Sequence, residues 1–268
     1  MTALGAIDAW PVPTAAAGWV DTAGRSTRHG PTDRRFRLAS VTKPLFAYTV
    51  LIAIEEGTLD FDMAAGPAGA TVADLLAHNS GLAEDPARPM TSVGQRRIYS
   101  NAGFDVLGDL LAAQSGMAAA EYFHEALAVP LGLTATTLDG SPARAATSTV
   151  DDLLVVAQEW LRPTLLAAET WQRATQPHRP DLDGVLPGYG QQRPNLWGLG
   201  FEIRGSKHPH WTGATNSPST FGHFGQTGTF IWVDPVAGRA CVALTDRDFG
   251  EWAIDAWPPL SDAVLTAS

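Results

Sequence analysis

The stretch Ser40-Val41-Thr42-Lys43 begins an apolar segment that is predicted to be a helix over residues 38–56. Positions i and i+3 of a helix lie on one face, about 5–6 Å apart at Cβ, so Ser40 and Lys43 would be neighbours. A serine hydroxyl needs a nearby base to act as a nucleophile, and burial makes a lysine amine basic at neutral pH by disfavouring its charged form. The alternative is a helix cap followed by a lysine that reaches solvent.

Two further motifs carry polar side chains that suit the same chemistry. Tyr99-Ser100-Asn101 precedes an apolar helical segment, and its phenol and amide could relay a proton or orient a lysine. Gly222-His223-Phe224-Gly225-Gln226-Thr227-Gly228-Thr229 leads into a strand, where glycine permits close approach of a substrate and a backbone N–H could stabilise an oxyanion. The structural alternatives are a turn with an Asn cap and a β-bulge.

The composition excludes several classes of protein. The chain has 268 residues, 45% hydrophobic residues and a net charge of -10, which is typical of a globular protein and not of a disordered one. No basic stripe is visible, so we expect neither nucleic acid nor an anionic membrane as a partner. The single cysteine, Cys241, lies in an apolar run and is predicted to be buried.

The sequence shows no sign of export or metal binding. No basic segment precedes an apolar one at the N-terminus, and the most apolar helical run, 44–54, is too short to span a bilayer. We therefore predict a cytoplasmic protein. His208-Pro209-His210 has no neighbouring carboxylate or cysteine in sequence and is predicted to be a surface loop, so no metal is expected there. No other cofactor is expected either, because a serine, a lysine and a tyrosine can supply the nucleophile and the proton transfer by themselves.

The periodicity of the chain changes along its length. Strands are predicted within residues 15–30 and at 199–203, 229–233 and 240–245, and residues 234–238 form a turn between the last two. Between these ends the pattern is mainly helical, with the better candidates at 72–77, 102–114, 118–129 and 149–161. Residues 177–196 are predicted to be a long loop and 259–266 a final helix. Strands at both ends with helices between them predict a sheet built from both termini.

In this order, the three motifs resemble those of the serine β-lactamase-like superfamily. The closest branch comprises class C β-lactamases, family VIII carboxylesterases and D-amino-acid-specific peptidases. The similarity extends from about residue 15 to 246, and its supporting segments are 36–43, 75–82, 97–104, 130–133 and 197–203. The resemblance implies an α/β fold in which an antiparallel sheet, flanked by helices, comes from both chain ends. Residues 1–58 plus 184–268 would form this domain, and 59–183 an inserted, mainly helical domain, with the active site between them.

The resemblance also implies a role for each motif residue. Ser40 would be the acylated nucleophile, Lys43 its base partner and Tyr99 a general base or proton shuttle. Asn101 would support the lysine and the substrate. His223, Phe224 and Gly225 would replace the Lys-Thr-Gly motif, and the backbone N–H groups of Ser40 and Gln226 would form the oxyanion hole.

Two departures from the β-lactamase pattern bear on the substrate. His223 stands where β-lactamases carry a lysine, so the strand lacks a fixed positive charge for a substrate carboxylate, and Phe224 replaces a small hydroxylic residue. We therefore expect a serine hydrolase that acts on small esters or amides. The alternatives are a D-amino-acid peptidase, a β-lactamase or an acyltransferase on the same scaffold, and a non-catalytic ligand-binding relative.

Overall fold

The computed structural model describes residues 3–267 of the chain. Its strands are β1 (Ala15–Asp21), β2 (Ser26–His29), β3 (Phe36–Arg37), β4 (Thr137–Leu138), β5 (Ala146–Ser148), β6 (Gly184–Leu186), β7 (Gly190–Gln192), β8 (Glu202–Ile203), β9 (Phe221–Gly225), β10 (Thr229–Asp234) and β11 (Arg239–Thr245). Its α-helices are α1 (Thr42–Glu55), α2 (Val72–Leu76), α3 (Asn101–Ser115), α4 (Ala119–Phe123), α5 (Val129–Leu131), α6 (Val150–Leu161), α7 (Ala168–Thr175) and α8 (Glu251–Thr266). Short 3-10 helices cover Ala3–Ala9 and Ala39–Val41, and a π-helical turn, His124–Ala128, joins α4 to α5.

The main sheet combines strands from both ends of the chain. Its order is β2-β1-β11-β10-β9-β8, and each paired neighbour runs antiparallel. The N-terminal strand β1 therefore lies beside the C-terminal strand β11, with Ala15 opposite Thr245 and Asp21 opposite Arg239. This arrangement confirms the fold class that the sequence predicts.

Helices cover both faces of this sheet because its strands are apolar on both sides. Along β10, Ile231 and Val233 face the core that contains α1 and α6, while Phe230 and Trp232 face the core that contains α8. Helix α1 is buried almost all round, as its uninterrupted apolar sequence predicts. Cys241 is fully buried, as predicted.

Three differences from the predicted elements have local causes. Residues 177–196 are not one loop, because β6 and β7 form a hairpin within them. Helix α8 begins at Glu251 instead of residue 259, so Pro258 and Pro259 lie inside it. The segment before Ser40 is also a strand, since β3 pairs with β5 in a small sheet.

That small sheet, ordered β3-β5-β4, brings the chain around residue 146 beside the start of α1. Ala146 N donates to Thr42 Oγ1 at 3.0 Å, and Leu38 N donates to the Ala146 carbonyl at 2.9 Å. These bonds fix the position of the neighbouring Ala143 carbonyl relative to the Ser-x-x-Lys turn. Among residues 3–267, no helix is both long and apolar enough to cross a membrane.

Candidate active site

Ser40 lies in the 3-10 turn that precedes α1, at the wall of a cavity of about 500 Å³. The residue before it, Ala39, has a φ of +45°, a left-handed conformation that is unfavourable for a residue with a Cβ. Such conformations persist where the surrounding structure enforces them, and they are common at functional sites. The strained turn presents Ser40 toward the cavity and Lys43 toward the core.

Lys43 is fully buried and has three polar neighbours. Its Nζ lies 3.3 Å from Ser40 Oγ, 2.6 Å from Asn101 Oδ1 and 3.0 Å from the Ala143 carbonyl oxygen. Burial lowers the pKa of Lys43 to about 7, although nearby carboxylates, Glu84 first among them, act in the opposite direction. A substantial fraction of Lys43 is therefore neutral at physiological pH.

The partners of Lys43 determine where its lone pair points. The Asn101 side-chain oxygen and the Ala143 carbonyl can only accept hydrogen bonds, so they use both N–H groups of the neutral amine. The remaining lone pair is then available to the Ser40 hydroxyl. This arrangement places the Lys43 amine beside the Ser40 hydroxyl, as the Ser-x-x-Lys spacing predicts.

Tyr99 lies above Lys43, with 4.5 Å between Nζ and the centroid of the phenol ring. Burial raises the pKa of Tyr99 above its usual range, and interaction with the Ser40 side chain acts in the opposite direction. The phenol is therefore protonated at neutral pH. This state suits a proton donor or shuttle better than a general base.

His78 positions the segment that carries Tyr99. Its Nδ1 accepts a hydrogen bond from Ser100 N at 3.1 Å, and its ring packs 4.8 Å from that of Tyr99 and 4.6 Å from that of Trp197. Ser100 caps α3, because its hydroxyl accepts from Gly103 N at 3.0 Å. His78 therefore holds this loop against the site.

His223 is buried beside Tyr99, with 5.8 Å between their ring centroids. Its Nδ1 lies 2.6 Å from the Phe224 carbonyl, which can only accept, so Nδ1 carries the proton. Burial lowers the pKa of His223 to about 3, and the positive charge of Lys43 adds to this effect. The ring is therefore neutral, and the site lacks the fixed positive charge that a lysine would provide.

The strand that carries His223 approaches Ser40 closely at Gly225. A methyl group at this position would collide with the Leu38 carbonyl oxygen and would lie 3.2 Å from Ser40 N. Hydrogen bonds from Thr227 and Thr229 to the Arg37 and Leu38 carbonyls, at 2.7 and 2.9 Å, hold the two segments together. Gln226, whose carbonyl accepts from Phe249 N at 2.7 Å, lines the same cavity as Ser40.

Phe224 projects away from the nucleophile and only borders the cavity. Its ring packs 5.0 Å from Phe249 and 5.9 Å from Trp257, in the aromatic core beneath α8. Side chains alternate across a strand, so His223 and Phe224 face opposite sides of the sheet. The added bulk of Phe224 therefore strengthens that core more than it narrows the site.

The prediction of a surface loop at 208–210 is wrong for His210. His210 Nε2 lies 3.0 Å from Glu202 Oε2, and Trp211 Nε1 donates to the same oxygen at 2.9 Å. Lys207 also contacts Glu202, and all four side chains are buried. Burial alone would raise the pKa of Glu202, but Lys207 and His210 hold it well below its usual range. Sequence patterns do not reveal this cluster because its carboxylate belongs to another element, β8.

Sequence patterns also missed two residues next to the site. Asp85 Oδ2 accepts a hydrogen bond from Asn101 Nδ2 at 2.8 Å and lies 3.4 Å from Arg144. Both lie in irregular segments without a motif that could have identified them. Among residues 3–267, no cluster of three or more His, Cys, Asp or Glu side chains is arranged to hold a metal ion.

Comparison with known proteins identifies the family. The sequence matches the Beta-lactamase family over residues 6–263, which is nearly the whole chain. The chain belongs to the β-lactamase family. The resemblance found in the motifs is thereby confirmed.

Individual relatives agree with this assignment. The structure is similar to that of a β-lactamase from Mycobacterium bovis, with a TM-score of 0.97 and 55% identity over 98% of both chains. The LovD6 mutant of simvastatin synthase from Aspergillus terreus shares the fold, with a TM-score of 0.82 and 18% identity over 97% of this chain and 92% of that one.

A provisionally named D-alanyl-D-alanine carboxypeptidase from Escherichia coli O157:H7 is 24% identical over 258 residues. The match covers 66% of this chain and 56% of the relative, so the chain spans little more than half the length of that protein. Together with the family match, these findings support a hydrolase of the serine type.

Proposed function

We propose that the protein is a serine hydrolase that forms an acyl-enzyme on Ser40 and acts on small neutral esters or amides. The observation that carries the proposal is the buried Lys43 amine, 3.3 Å from the Ser40 hydroxyl and held by two hydrogen-bond acceptors. A neutral amine in this geometry can take the serine proton. The site would lie between the sheet formed by both chain ends and the mainly helical segment 59–183.

The acylation step would proceed in the following way. Ser40 Oγ attacks the substrate carbonyl carbon while its proton moves to Lys43 Nζ. The carbonyl oxygen becomes an oxyanion, and the backbone N–H groups of Ser40 and Gln226 donate to it. When the tetrahedral intermediate collapses, Tyr99 gives its proton to the leaving oxygen or nitrogen and is reprotonated by Lys43.

Deacylation reverses these proton transfers with water as the nucleophile. Lys43, neutral again, accepts a proton from the attacking water, either directly or through Tyr99. The acyl carbon–Ser40 bond then breaks, and the proton returns to Ser40 Oγ. The products are a carboxylic acid and the alcohol or amine, and no external cofactor is needed for the balance.

The absence of positive charge on the His223 ring favours a neutral substrate. The ring is neutral at physiological pH and cannot offer the positive charge that a substrate carboxylate would need. The cavity wall carries Glu84, Asp85 and Asp248 besides Arg37 and Arg144, and Arg144 is already paired with Asp85. Arg37 then shares this wall with two further carboxylates, Glu84 and Asp248, so the net charge of the wall disfavours an added carboxylate.

A second candidate function is β-lactam hydrolysis. It is favoured by the 55% identity to the Mycobacterium bovis β-lactamase. The two candidates share the acyl-enzyme and differ in the acyl group and in the charge of the substrate. Arg37, on the cavity wall, is the residue that could pair with a β-lactam carboxylate.

The test is a substrate panel with wild type and Ser40→Ala. Short-chain p-nitrophenyl esters, a β-lactam and a D-alanine amide would be compared by kcat/KM. We expect ester turnover that disappears in Ser40→Ala and exceeds β-lactam turnover. The opposite ranking would support the β-lactamase function, while unchanged ester turnover in Ser40→Ala would refute the acyl-enzyme.

The panel also tests whether the enzyme prefers uncharged substrates. Two esters that share the same acyl chain length, one with and one without a terminal carboxylate, form the matched pair. His223→Lys should improve the ratio of charged to neutral ester turnover. An unchanged ratio would show that position 223 does not govern the charge preference.

A further inference from the structure

The side chain of Asn101 makes two hydrogen bonds that require a single orientation of its amide. Oδ1 lies 2.6 Å from Lys43 Nζ, and Nδ2 donates to Asp85 Oδ2 at 2.8 Å. A carboxylate only accepts hydrogen bonds, so the nitrogen of the amide must face Asp85. The oxygen is then left facing Lys43.

Asp85 is itself held by the segment that supports Lys43 from the other side. Its carboxylate lies 3.4 Å from Arg144, which directly follows Ala143. The Ala143 carbonyl accepts from Lys43 at 3.0 Å. A closed ring of contacts therefore surrounds the lysine amine. It runs from Lys43 through Asn101, Asp85, Arg144 and Ala143 and back to Lys43.

We propose that Asp85 is a positioning residue that fixes the Asn101 amide with its oxygen toward Lys43 and so directs the Lys43 lone pair at Ser40. The inference rests on the proposed function. Without Asp85, the Asn101 amide could rotate and present its NH2 group to Lys43. The lysine lone pair would then accept from Asn101 instead of from the Ser40 hydroxyl.

The loop around Asp85 does not depend on its side chain. Ala83 N donates to the Arg88 carbonyl at 2.9 Å, and the Glu84 carbonyl accepts from the backbone N–H groups of Asn101 and Ala102 at 3.1 and 3.0 Å. The Asp85 side chain is 43% exposed, so its removal leaves no large gap in the core. Substitutions at this position should therefore fold.

A purely electrostatic role is the main alternative. Glu84, Asp85 and Asp105 stabilise the charged form of Lys43 and Arg144 opposes it, whereas His78 and His223 face the site as neutral rings. Glu84 supplies the matched control. It acts on Lys43 by charge, but its side chain makes no hydrogen bond to Asn101 among residues 3–267.

The experiment compares wild type with Asp85→Asn, Asp85→Ala and Glu84→Gln. The chain has only two lysines, Lys43 and Lys207, so NMR of ε-carbon-labelled lysine follows the titration of Lys43 directly. Asp85→Asn keeps an oxygen that can accept from Asn101, whereas Asp85→Ala removes the acceptor. We expect Glu84→Gln and Asp85→Asn each to lower the Lys43 midpoint, Glu84→Gln by more, because Glu84 makes the larger charge contribution. Asp85→Ala should lower the midpoint further than Asp85→Asn, because the ammonium also loses its acceptor.

Ester turnover at a pH above the Lys43 midpoint provides the second measurement. We expect Asp85→Ala to reduce kcat by about 10- to 100-fold with little change in KM, as for loss of a hydrogen bond to a charged group. Asp85→Asn and Glu84→Gln should reduce it by no more than about fivefold, the effect of an exposed charge. Equal behaviour of Asp85→Ala and Asp85→Asn in both measurements would overturn the inference.

The two proposals fail in different ways. If Lys43 titrates in the expected order across the variants but wild type forms no acyl adduct, the positioning role stands and the proposed hydrolase function fails. If wild type is acylated and turns over esters but Asp85→Ala retains its kcat, the hydrolase function stands and the positioning role fails.

Discussion

Replacing Lys43 by methionine should change how the stability of the protein depends on pH. In the unfolded chain the amine titrates near 10.5, whereas burial lowers the pKa of the folded protein to about 7. Between these values the unfolded chain binds more protons than the folded one. The free energy of unfolding should therefore rise with pH in this window, and below the folded pKa the full cost of burial is present.

The size of the effect follows from the two pKa values. The slope approaches about 1.4 kcal/mol per pH unit when one proton separates the two states, and it is about half that at pH 7. From pH 7 to pH 9, Lys43 should therefore add about 2 kcal/mol to the stability of wild type. Methionine has a similar length and no charge, so this contribution disappears in Lys43→Met.

Urea unfolding at pH 7, 8 and 9 measures the difference between the two proteins. Methionine leaves the Asn101 and Ala143 oxygens without their donor, but that cost does not depend on pH and so does not affect the slope. Ser40→Ala, which retains the lysine, serves as the control. If the difference in free energy of unfolding between wild type and Lys43→Met stays constant from pH 7 to 9, Lys43 does not have the lowered pKa of a buried amine.

Three further outcomes are expected. The kcat/KM for an ester should increase with pH and reach half its maximum near pH 7, where Lys43 loses its proton; a profile that is flat from pH 5 to 9 would exclude Lys43 as the base. Gly225→Ala should abolish acylation while Gly24→Ala does not, because only the first places a methyl group against the Leu38 carbonyl; equal activity of the two would contradict the close approach. His78→Phe should lower the free energy of unfolding by about 1–3 kcal/mol and also reduce kcat, because Ser100 N loses its acceptor. Thermal melts and ester kinetics measure the two effects. An unchanged kcat would argue against a positioning role for His78.

The residues that sequence analysis found are those whose signal is local. Ser40 and Lys43 lie one helical turn apart, and the segment after Lys43 is so apolar that burial of its amine could be expected. Tyr99 precedes an apolar helix, Ser100 caps it, and Asn101 is its first residue. These motifs also carry the family resemblance, so fold class and family were both predicted from the sequence.

The residues that it missed depend on contacts between separate elements of the fold, whether far apart or near in sequence. Asp85 and Arg144 lie 59 positions apart in irregular loops and meet only because each contacts a side of the lysine site. The sequence pattern indicates a surface position for His210 because Glu202, its buried partner, comes from another element of the fold.

Local propensity was also overridden by packing in α8. The sequence pattern predicts a helix that starts at Pro259, whereas Trp257 and Ala253, two and six residues earlier, already pack in the helix against the sheet. The buried apolar contacts of these residues extend the helix across both prolines.

Intact-mass analysis after rapid quenching tests the acyl-enzyme most directly. Wild type and Ser40→Ala would each be mixed with a short-chain p-nitrophenyl ester and quenched in acid, and the modified peptide would be sequenced. We predict an added mass equal to one acyl group on Ser40 in wild type and none in Ser40→Ala. An adduct on another residue, or equal ester turnover by the two proteins without any adduct, would contradict a mechanism that proceeds through Ser40.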